Sequence, residues 1–335
     1  MKFLVCGLGS IGKRHLENLE KIGFKCRDIA VFRTHRGVKS FGDKVLMEHK
    51  NRHSVFDNLE RALEQKPNAV IISNPTALHI STALAAAKAG CHLFIEKPIS
   101  NILEGVDELI RIVKKKKLVA FVAHQLRFHP LLRIIRLWLK EEKIGKIVCV
   151  HAEMAERVTD WHPWENYKIS YATRKDLGGG VVLTQSHELD YLYWLFGKPQ
   201  WIFAAGGELG DLGINAEDTV KTILQFPKNI LASLHVDYLK RPPCRFLEIT
   251  GTKGRIYWDY FGKKVQLILI NGATLTAREP HGFERNMMYL NEMGHFIDCI
   301  KGDAKPLIDL RQGKAVLEMA LAIKESVRKK KRIVL

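Results

Sequence analysis

A glycine-rich segment directly after the first apolar run constrains the fold of this chain more than any other feature. The run Phe3 to Cys6 leads into Gly7-Leu8-Gly9-Ser10-Ile11-Gly12, and a helical pattern then extends from about Ser10 to Ile22. A strand, a Gly-x-Gly-x-x-Gly loop and a helix in this order are typical of a site for the pyrophosphate of a dinucleotide. The N–H groups at the helix N-terminus would face the phosphates. The cofactor-binding residues predicted in this loop are Gly7, Gly9, Ser10, Ile11 and Gly12.

The order of apolar and polar runs along the chain predicts two domains. Short β-branched runs alternate with helical patterns over the first 125 residues, at Phe3 to Cys6, Ile29 to Phe32, Val70 to Ser73, His92 to Ile95 and Leu118 to Ala123. Such alternation indicates βαβ units and a parallel sheet. After residue 145, strand patterns such as Thr219 to Phe226 and Ile230 to Tyr238 are joined by turns, which indicates antiparallel hairpins.

The predicted fold class is therefore α/β. An N-terminal Rossmann domain with a doubly wound parallel sheet would comprise residues 1–124. A C-terminal α+β domain with a mostly antiparallel open sheet would comprise residues 125–335, with the boundary near His124-Gln125. Its helices are predicted at about 128–142, 184–196 and 284–301, with a tail helix at about 312–328.

Charge and composition narrow the range of partners. The 335 residues carry 53 Lys and Arg against 36 Asp and Glu, and this net charge of +17 favours anionic ligands such as nucleotides or phosphorylated sugars. No helix-turn-helix signature or alternating basic and aromatic pattern accompanies the charge, so no nucleic acid partner is expected. Apolar runs such as Val119 to Ala123 are shorter than the roughly 20 residues of a membrane span, and no membrane partner is expected.

The N-terminus and the cysteines point to a reducing compartment. Met1 to Gly7 enters a strand pattern directly, without a secretory signal segment, so a cytoplasmic location is expected. The six cysteines are widely scattered, with no Cys-x-x-Cys pair and no His placed to complete a metal set. Reduced thiols and no metal site are therefore predicted.

The residues after the second strand bear on the choice of cofactor. An Asp or Glu at this point would bind the ribose 2′-hydroxyl of NAD, whereas this chain has Arg33-Thr34-His35-Arg36. Arginines form charge-assisted bonds to phosphate, so Arg33, Thr34 and Arg36 favour NADP over NAD. Alternatively, Arg33 stacks on the adenine and both cofactors are used.

Two later strands end in residues suited to cofactor and substrate chemistry. Val70 to Ser73 leads to Asn74-Pro75 and then His79, and Leu93 to Ile95 leads to Glu96-Lys97-Pro98. Ligands of open α/β sheets bind beyond the carboxyl ends of the strands. Lys97 at such an end could stabilise the alkoxide that develops as hydride leaves a hydroxyl carbon, unless it is a solvated lysine in a turn. Cofactor contacts are predicted for Ser73, Asn74, His79, Glu96 and Lys97.

Together, in this order, the motifs resemble those of the Gfo/Idh/MocA family of dehydrogenases. The motifs that carry the resemblance are the glycine loop, Asn74-Pro75 with His79, Glu96-Lys97-Pro98, Arg127-Phe128-x-Pro130, and Gly178-Gly179-Gly180 followed by His187 and Asp190. The resemblance covers nearly the whole chain. It implies redox chemistry on a sugar-like hydroxyl and an open C-terminal sheet that serves oligomerisation, with a homodimer or homotetramer as the expected assembly.

The resemblance also implies the catalytic residues. Lys97 matches the family's catalytic lysine, His187 matches its general acid/base, and Asp190 lies one helical turn later. Many members carry an Asp four residues before this His, where this chain has Leu183. Asp190 or Glu188 would then orient His187, or the proton would pass through Thr184 or Tyr191. Alternatively, His187 is a partly buried helical histidine satisfied by a neighbour.

An aromatic segment precedes the glycine run. Trp161-His162-Pro163-Trp164-Glu165-Asn166-Tyr167 and Tyr171 combine rings with polar groups, which suits stacking on a sugar face, although a loop at the edge of the core has the same composition. The segment is similar to that of family members associated with surface sugars or nonulosonic acids. The predicted substrate-binding residues are Lys97, Gln125, Arg127, His162, Trp164, Tyr171 and His187.

The predicted function is NAD(P)-dependent hydride transfer to or from a sugar, amino sugar or nucleotide-linked sugar. One alternative is an enzyme that keeps its cofactor bound and uses it twice without net redox change. A second alternative is an NADP-binding regulator without catalytic activity.

Overall fold

The computed structural model describes residues 1–33, 52–162 and 165–335. Contacts divide the chain into two compact units. The first unit comprises Met1–His124, Asp176–Gly178 and Arg285–Leu317. The second unit comprises Gln125–Lys175, Gly179–Glu284 and Glu318–Leu335.

The first unit contains a parallel sheet of six strands in the order β3-β2-β1-β4-β5-β6. Every residue of β1 and β4 is buried, as expected for strands that are covered on both faces and are therefore apolar throughout. The strands are β1 (Phe3–Cys6), β2 (Ile29–Phe32), β3 (Ser54–Phe56), β4 (Ala69–Ile72), β5 (His92–Glu96) and β6 (Ala120–Ala123).

Among its described residues, the first unit contains five complete α-helices and the start of a sixth. They are α1 (Ser10–Ile22), α2 (Leu59–Glu64), α3 (His79–Lys88), α4 (Val106–Lys115) and α8 (Arg285–Lys301), and the last helix of the chain, α9 (Leu310–Lys329), also begins in this unit. Helix α8 packs on α1, where Asn286 Nδ2 donates to Asn18 Oδ1 at 2.8 Å and the Arg14 guanidinium lies 4.7 Å from the Tyr289 ring centre. Residues 285–317 thus join a unit that is otherwise formed mainly by the first 124 residues.

The second unit contains a sheet of nine strands in the order β14-β13-β12-β11-β7-β10-β9-β8-β15. All neighbouring strands run antiparallel except β7 and β10, which are parallel. The strands are β7 (Ile147–Ala155), β8 (Trp201–Gly207), β9 (Thr219–Phe226), β10 (Ile230–Asp237), β11 (Cys244–Gly251), β12 (Gly254–Asp259), β13 (Lys264–Leu269), β14 (Thr274–Arg278) and β15 (Ile333–Val334).

Burial alternates along the central strands of this sheet. Val220, Leu224 and Leu234 are buried, whereas Ile223 and Leu231 on the other face are exposed. The period of two places one side of the sheet in the core and leaves the other open. The remaining helices of the unit are α5 (Pro130–Lys140), α6 (Val181–Thr184) and α7 (Ser186–Phe196).

The predicted fold class is confirmed, since a parallel six-stranded sheet is followed by a mostly antiparallel one. The helix predicted at about 184–196 corresponds to α7, and the short helix α6 precedes it, with Gln185 between the two. The sequence pattern did not indicate β3, the edge strands β14 and β15, or the interior strands β7, β8 and β13. Among the described residues, no helix is both long and apolar enough to cross a membrane.

Candidate functional site

The glycine loop lies at the carboxyl end of β1 and leads into α1. Gly7 has a φ of +96°, and its N–H donates to the Phe32 carbonyl at 3.0 Å, which joins the loop to the end of β2. A Cβ on Gly12 would lie 2.1 Å from the Gly7 carbonyl oxygen, so only glycine permits α1 to start this close to the loop. The sequence-predicted turn and close helix–strand contact are both present in the backbone.

Gly9 is a glycine that the backbone conformation of the loop does not require. Its φ is −65°, and a Cβ built on it would have no atom within 4 Å, so the fold itself does not require glycine here. Gly9 is also the N-cap of α1, without a side-chain cap, which leaves the first-turn N–H groups of Ser10 and Ile11 available to an anion. Open space beside uncapped N–H groups fits the pyrophosphate of a dinucleotide.

Arg33 directly follows β2 beside this loop. Its N–H donates to the Phe56 carbonyl of β3 at 2.9 Å, and the residue is half-buried. The backbone of Arg33 is therefore held directly after the second strand, the place in the chain where dinucleotide folds carry the residue that binds the ribose. Thr34 and Arg36, predicted with it, lie outside the described residues.

The end of β4 is tied to the glycine loop and to α3. Ser73 Oγ lies 3.0 Å from the Cys6 carbonyl and 3.1 Å from the Gly7 carbonyl, so its hydroxyl links the ends of β1 and β4. Asn74 Nδ2 donates to Thr82 Oγ1 at 2.9 Å. The buried Asn74 Oδ1 has no partner among the described residues, which leaves an acceptor for a bound ligand.

His79 connects the loops that follow β4 and β5. Its Nδ1 lies 2.8 Å from the Pro98 carbonyl oxygen, and its Nε2 lies 2.9 Å from the Asn74 carbonyl oxygen. Burial lowers the pKa of His79 against the effect of these two contacts. The ring is 1% exposed, so this geometry favours a role in holding the two loops over direct contact with a cofactor.

Lys97 follows β5 and is held there by a buried acid. Glu96 Oε2 accepts from the Lys97 backbone N–H at 3.1 Å, and Glu96 Oε1 lies 2.6 Å from His15 Nε2 of α1. Burial raises the pKa of Glu96, but the hydrogen bond from His15 and the nearby charges outweigh it, so the net pKa lies below the usual value. His15 was not predicted from the sequence, because 81 residues separate it from Glu96.

In the second unit, His187 lies in the first turn of α7. Its Nε2 is 3.2 Å from Gln125 Nε2, the side-chain amide of a residue predicted to bind substrate. An amide can present either its oxygen or its nitrogen to the ring, so Gln125 can serve either tautomer of the imidazole. Gln125 thereby occupies the orienting position for which the sequence suggested an acid.

Asp190 and Glu188, the two acids considered as partners of His187, each form a salt bridge with a buried arginine. Asp190 Oδ1 and Oδ2 accept from Arg127 Nη2 and Nε at 2.7 and 3.0 Å. Glu188 Oε1 accepts from Arg245 Nε at 2.8 Å. Arg127 and Asp190 are both fully buried, so the structure favours a positioning role for them over the substrate contact and catalytic role predicted from the sequence.

The other two proposed relay residues are also buried. Tyr191 is fully buried, and burial together with the charge of Glu188 raises the pKa of its hydroxyl well above the usual value. Thr184 ends α6 and is 5% exposed, and Leu183 beside it is 2% exposed. A neutral, buried phenol can hold a proton but does not release one near neutral pH.

The aromatic segment before the glycine run is only partly described. Tyr171 is 36% exposed, His162 is half-buried, and burial lowers the pKa of His162. Trp164 lies outside the described residues. A Cβ on Gly179 would lie 2.2 Å from the Tyr171 carbonyl oxygen, so the glycine run lets this segment pack directly against the start of α6.

Two family models match the chain. One, described as an oxidoreductase family with an NAD-binding Rossmann fold, matches residues 1–124. The other, described as the GFO/IDH/MocA C-terminal domain, matches residues 132–257. Together they match well over half of the 335 residues.

Individual proteins are similar as well. Myo-inositol 2-dehydrogenase of Thermotoga maritima is 26% identical over 99% of this chain and 98% of its own length. The 2,7-anhydro-N-acetylneuraminate hydratase of Escherichia coli is 30% identical over 57% of this chain, which is about half of that relative's length. A solved levoglucosan dehydrogenase in complex with NADH and levoglucosan has a TM-score of 0.84 and 18% identity, over 100% of this chain and 99% of the other, and shares the fold.

Proposed function

The chain belongs to the Gfo/Idh/MocA oxidoreductase family, and from this premise we propose that it transfers a hydride between a nicotinamide cofactor and a hydroxyl or carbonyl carbon of a sugar-like substrate. The membership predicted from its motifs is confirmed by the two family matches. The relatives include proteins named for dehydrogenation of a cyclitol and an anhydrosugar.

The observation that carries the proposal is the position of Lys97. All six strands of the sheet are parallel, so Lys97 after β5 and the glycine loop after β1 both lie at the carboxyl ends of the strands. The backbone of Lys97 is fixed by Glu96, which is itself fixed by His15. The Lys97 cation is therefore at the carboxyl ends of the strands, where ligands of open α/β sheets bind.

The chain's own residues supply orientation and charge. A nicotinamide cofactor, when bound, would supply the hydride acceptor for the oxidative direction. As the family resemblance implies, His187 would act as the general acid/base, and Lys97 would stabilise negative charge that develops on the substrate. The hydrogen of the carbon leaves with two electrons and that of the oxygen leaves as a proton, which balances oxidation of an alcohol to a carbonyl. Gln125 orients the His187 ring.

We propose a sugar, amino sugar or nucleotide-linked sugar as substrate. The half-exposed Tyr171 offers a ring face and His162 a polar edge, which suits the alternating apolar and hydroxyl surfaces of a pyranose. Three relatives are named for inositol, levoglucosan and an anhydro-neuraminate, compounds whose rings bear several hydroxyl groups.

For the cofactor, we propose that NADP is preferred over NAD. Arg33 stands where NAD-specific sites place an acid, and its guanidinium can pair with a 2′-phosphate. The expected result is a kcat/KM at least tenfold higher with NADP⁺, which falls in an Arg33→Ala variant toward its value with NAD⁺. Equal kcat/KM values for the two cofactors in the unmodified protein would contradict the preference.

The function is tested by titrating the purified protein with NADH and NADPH and then screening substrates at 340 nm. The panel includes inositols, aldoses, anhydrosugars, amino sugars and nucleotide-linked sugars. Binding of a reduced cofactor together with turnover of one ring class is expected. Failure to bind either cofactor would contradict the proposal.

A second candidate is a cycle without net redox change, and the name of one relative favours it. Hydration of 2,7-anhydro-N-acetylneuraminate, the reaction for which that relative is named, adds water and leaves the overall oxidation state unchanged. An enzyme of this type would retain its cofactor through purification and convert substrate with no lasting change at 340 nm. Product detection by mass spectrometry, run beside the absorbance assay, separates the two candidates.

We also propose that the open face of the nine-stranded sheet joins two copies of this chain. Phe203 of β8 pairs directly with Ile223 of β9, and Leu231 of β10 lies on the same face. These three side chains are 42%, 37% and 44% exposed. A contiguous apolar surface on a sheet face is typical of a protein interface.

A further inference from the structure

Three side chains with metal-binding atoms lie close together at the end of the parallel sheet that is opposite the glycine loop. Glu20 lies in the last turn of α1, Cys26 lies shortly before β2, and His53 directly precedes β3. They therefore lie near the amino ends of the parallel strands, whereas the glycine loop follows the carboxyl end of β1. One carboxylate oxygen, the thiol sulfur and one ring nitrogen all lie within 4.8 Å of one another.

The ring of His53 is turned so that Nε2 faces the cluster. Its Nδ1 lies 3.2 Å from the Cys26 carbonyl oxygen and 3.1 Å from the Ile29 carbonyl oxygen. Carbonyl oxygens only accept, so Nδ1 carries a proton, and Nε2 lies 3.1 Å from Glu20 Oε1. An imidazole whose Nδ1–H is bound by backbone carbonyls is oriented to ligate a metal through Nε2.

The spacing of the donor atoms suits a small tetrahedral ion. Cys26 Sγ lies 3.3 Å from Glu20 Oε1, the same oxygen that faces His53 Nε2. Zinc binds oxygen, nitrogen and sulfur at about 2.0–2.3 Å, so tetrahedral ligand atoms lie about 3.3–3.6 Å apart. Small side-chain shifts would open this cluster to that geometry. Thiolate and imidazole ligands favour Zn²⁺ over Ca²⁺ or Mg²⁺.

Arg52 provides the positive charge at this cluster. Its Nη2 lies 3.1 Å from Glu20 Oε2 and 3.3 Å from Cys26 Sγ. The Arg52 side chain is 51% exposed, so its guanidinium can move into solvent at low cost. A bound cation would replace it as the partner of the carboxylate and the thiolate.

We propose that Glu20, Cys26 and His53 form a binding site for a divalent transition metal of the Zn²⁺ class, with water as the fourth ligand. The ion would connect the end of α1 to the starts of β2 and β3 and thereby stabilise the first unit. No metal site was predicted from the sequence, because 27 residues separate Cys26 from His53 and no short ligand spacing marks the cluster.

The test is a titration of the metal-free, full-length protein with Co²⁺, which reports thiolate ligation through a near-ultraviolet charge-transfer band. One Co²⁺ per chain and displacement by Zn²⁺ are expected. Cys26→Ser should abolish the band, and Glu20→Gln should weaken Zn²⁺ binding at least tenfold. Cys149→Ser is the matched control, since Cys149 is an exposed free thiol in the second unit, and its band should equal that of the unmodified protein.

Thermal unfolding gives an independent readout. Zn²⁺ should raise the unfolding temperature of the unmodified protein and of Cys149→Ser, and leave that of Cys26→Ser unchanged. The affinity for NAD(P)H should be the same in the unmodified protein and in both variants, because the cluster and the glycine loop lie at opposite ends of the parallel strands. The proposal is overturned if the unmodified protein shows no charge-transfer band, or if the band persists in Cys26→Ser.

Discussion

At the scale of single residues, the glycine loop separates what the fold requires from what a ligand requires. Gly7 and Gly12 are needed for backbone reasons, since one has a positive φ and the other would clash with a carbonyl. Gly9 has neither constraint. Any requirement for glycine at position 9 therefore comes from the bound molecule.

This distinction predicts the behaviour of Gly9→Ala. The added methyl group meets no protein atom, so the free energy of unfolding should stay within about 0.5 kcal/mol of the unmodified value. The same methyl group occupies the space for the pyrophosphate, so NAD(P)H affinity should fall at least tenfold, or about 1.4 kcal/mol. Calorimetric titration and urea unfolding measure the two effects.

Gly294→Ala is the matched control, because a Cβ there also has no atom within 4 Å and the residue lies inside helix α8. It should leave cofactor affinity unchanged and stabilise the protein slightly. Unchanged affinity in Gly9→Ala would show that the phosphates do not approach this residue.

Asp190 forms a buried salt bridge with Arg127, so its removal should affect stability. Its removal would leave the Arg127 guanidinium buried without its partner, so Asp190→Ala should cost about 3–5 kcal/mol of stability by urea unfolding. Exposed Asp303→Ala is the control and should cost less than about 0.5 kcal/mol. If Asp190→Ala kept full stability and lost only kcat, Asp190 would act in the chemistry itself.

At the scale of elements, helix α5 begins at a histidine that cannot be protonated without cost. His129 Nδ1 accepts from the Leu131 N–H at 3.2 Å, and its Nε2 lies 3.3 Å from Glu279 Oε1. Burial, with the charge of Arg245, lowers the pKa of His129 to about 3, and burial raises the pKa of Glu279. Both groups are thus favoured in their neutral forms.

A pH-dependent stability follows. Below about pH 6.5 the unfolded chain binds a proton at His129 and the folded chain does not, so the unfolding free energy falls as the pH drops toward 3. Between pH 7 and pH 5 this group should account for about 2 kcal/mol. His129→Asn keeps a capping acceptor and should flatten the curve by that amount. Parallel curves for the two proteins, measured by urea unfolding, would contradict the prediction.

The elements also show how far the sequence predicts the structure. The boundaries of β1, β2, β9 and α1 match the predicted runs, because each is bounded by glycine or turn residues and has a clear apolar period. The contacts of Glu96 with His15 and of Asp190 with Arg127 were not predicted. Their partners lie 81 and 63 residues away, and no local pattern encodes such pairs.

For the molecule as a whole, the exposed apolar face of the nine-stranded sheet indicates that copies of the chain associate. The exposed Phe203, Ile223 and Leu231 would be costly to leave in water, and a second copy of the chain can cover them. Ile223→Lys with Leu231→Lys should convert the expected homodimer or homotetramer to a smaller species in light scattering. Lys140→Ala, at an exposed residue of helix α5 outside the sheet, is the control. A monomer in the unmodified protein would contradict the proposed interface.

The division of the chain at residues 124 and 125 stays a prediction about independently folding domains. Residues 285–317 contact the parallel sheet, where Phe296 lies 5.4 Å from the Phe94 ring centre. A long-range return of this kind leaves no signal in local hydrophobic periodicity, so the sequence pattern alone places α8 with its neighbours in sequence.

The role of Lys97 in hydride transfer is measured by comparing the unmodified protein with Lys97→Ala on the best substrate of the panel. The measurement pairs turnover at 340 nm with a calorimetric titration of NAD(P)H. We predict that Lys97→Ala loses at least 10³-fold in kcat, about 4 kcal/mol of transition-state stabilisation, and binds the cofactor within threefold of the unmodified affinity. Retained turnover in Lys97→Ala would show that Lys97 does not assist hydride transfer.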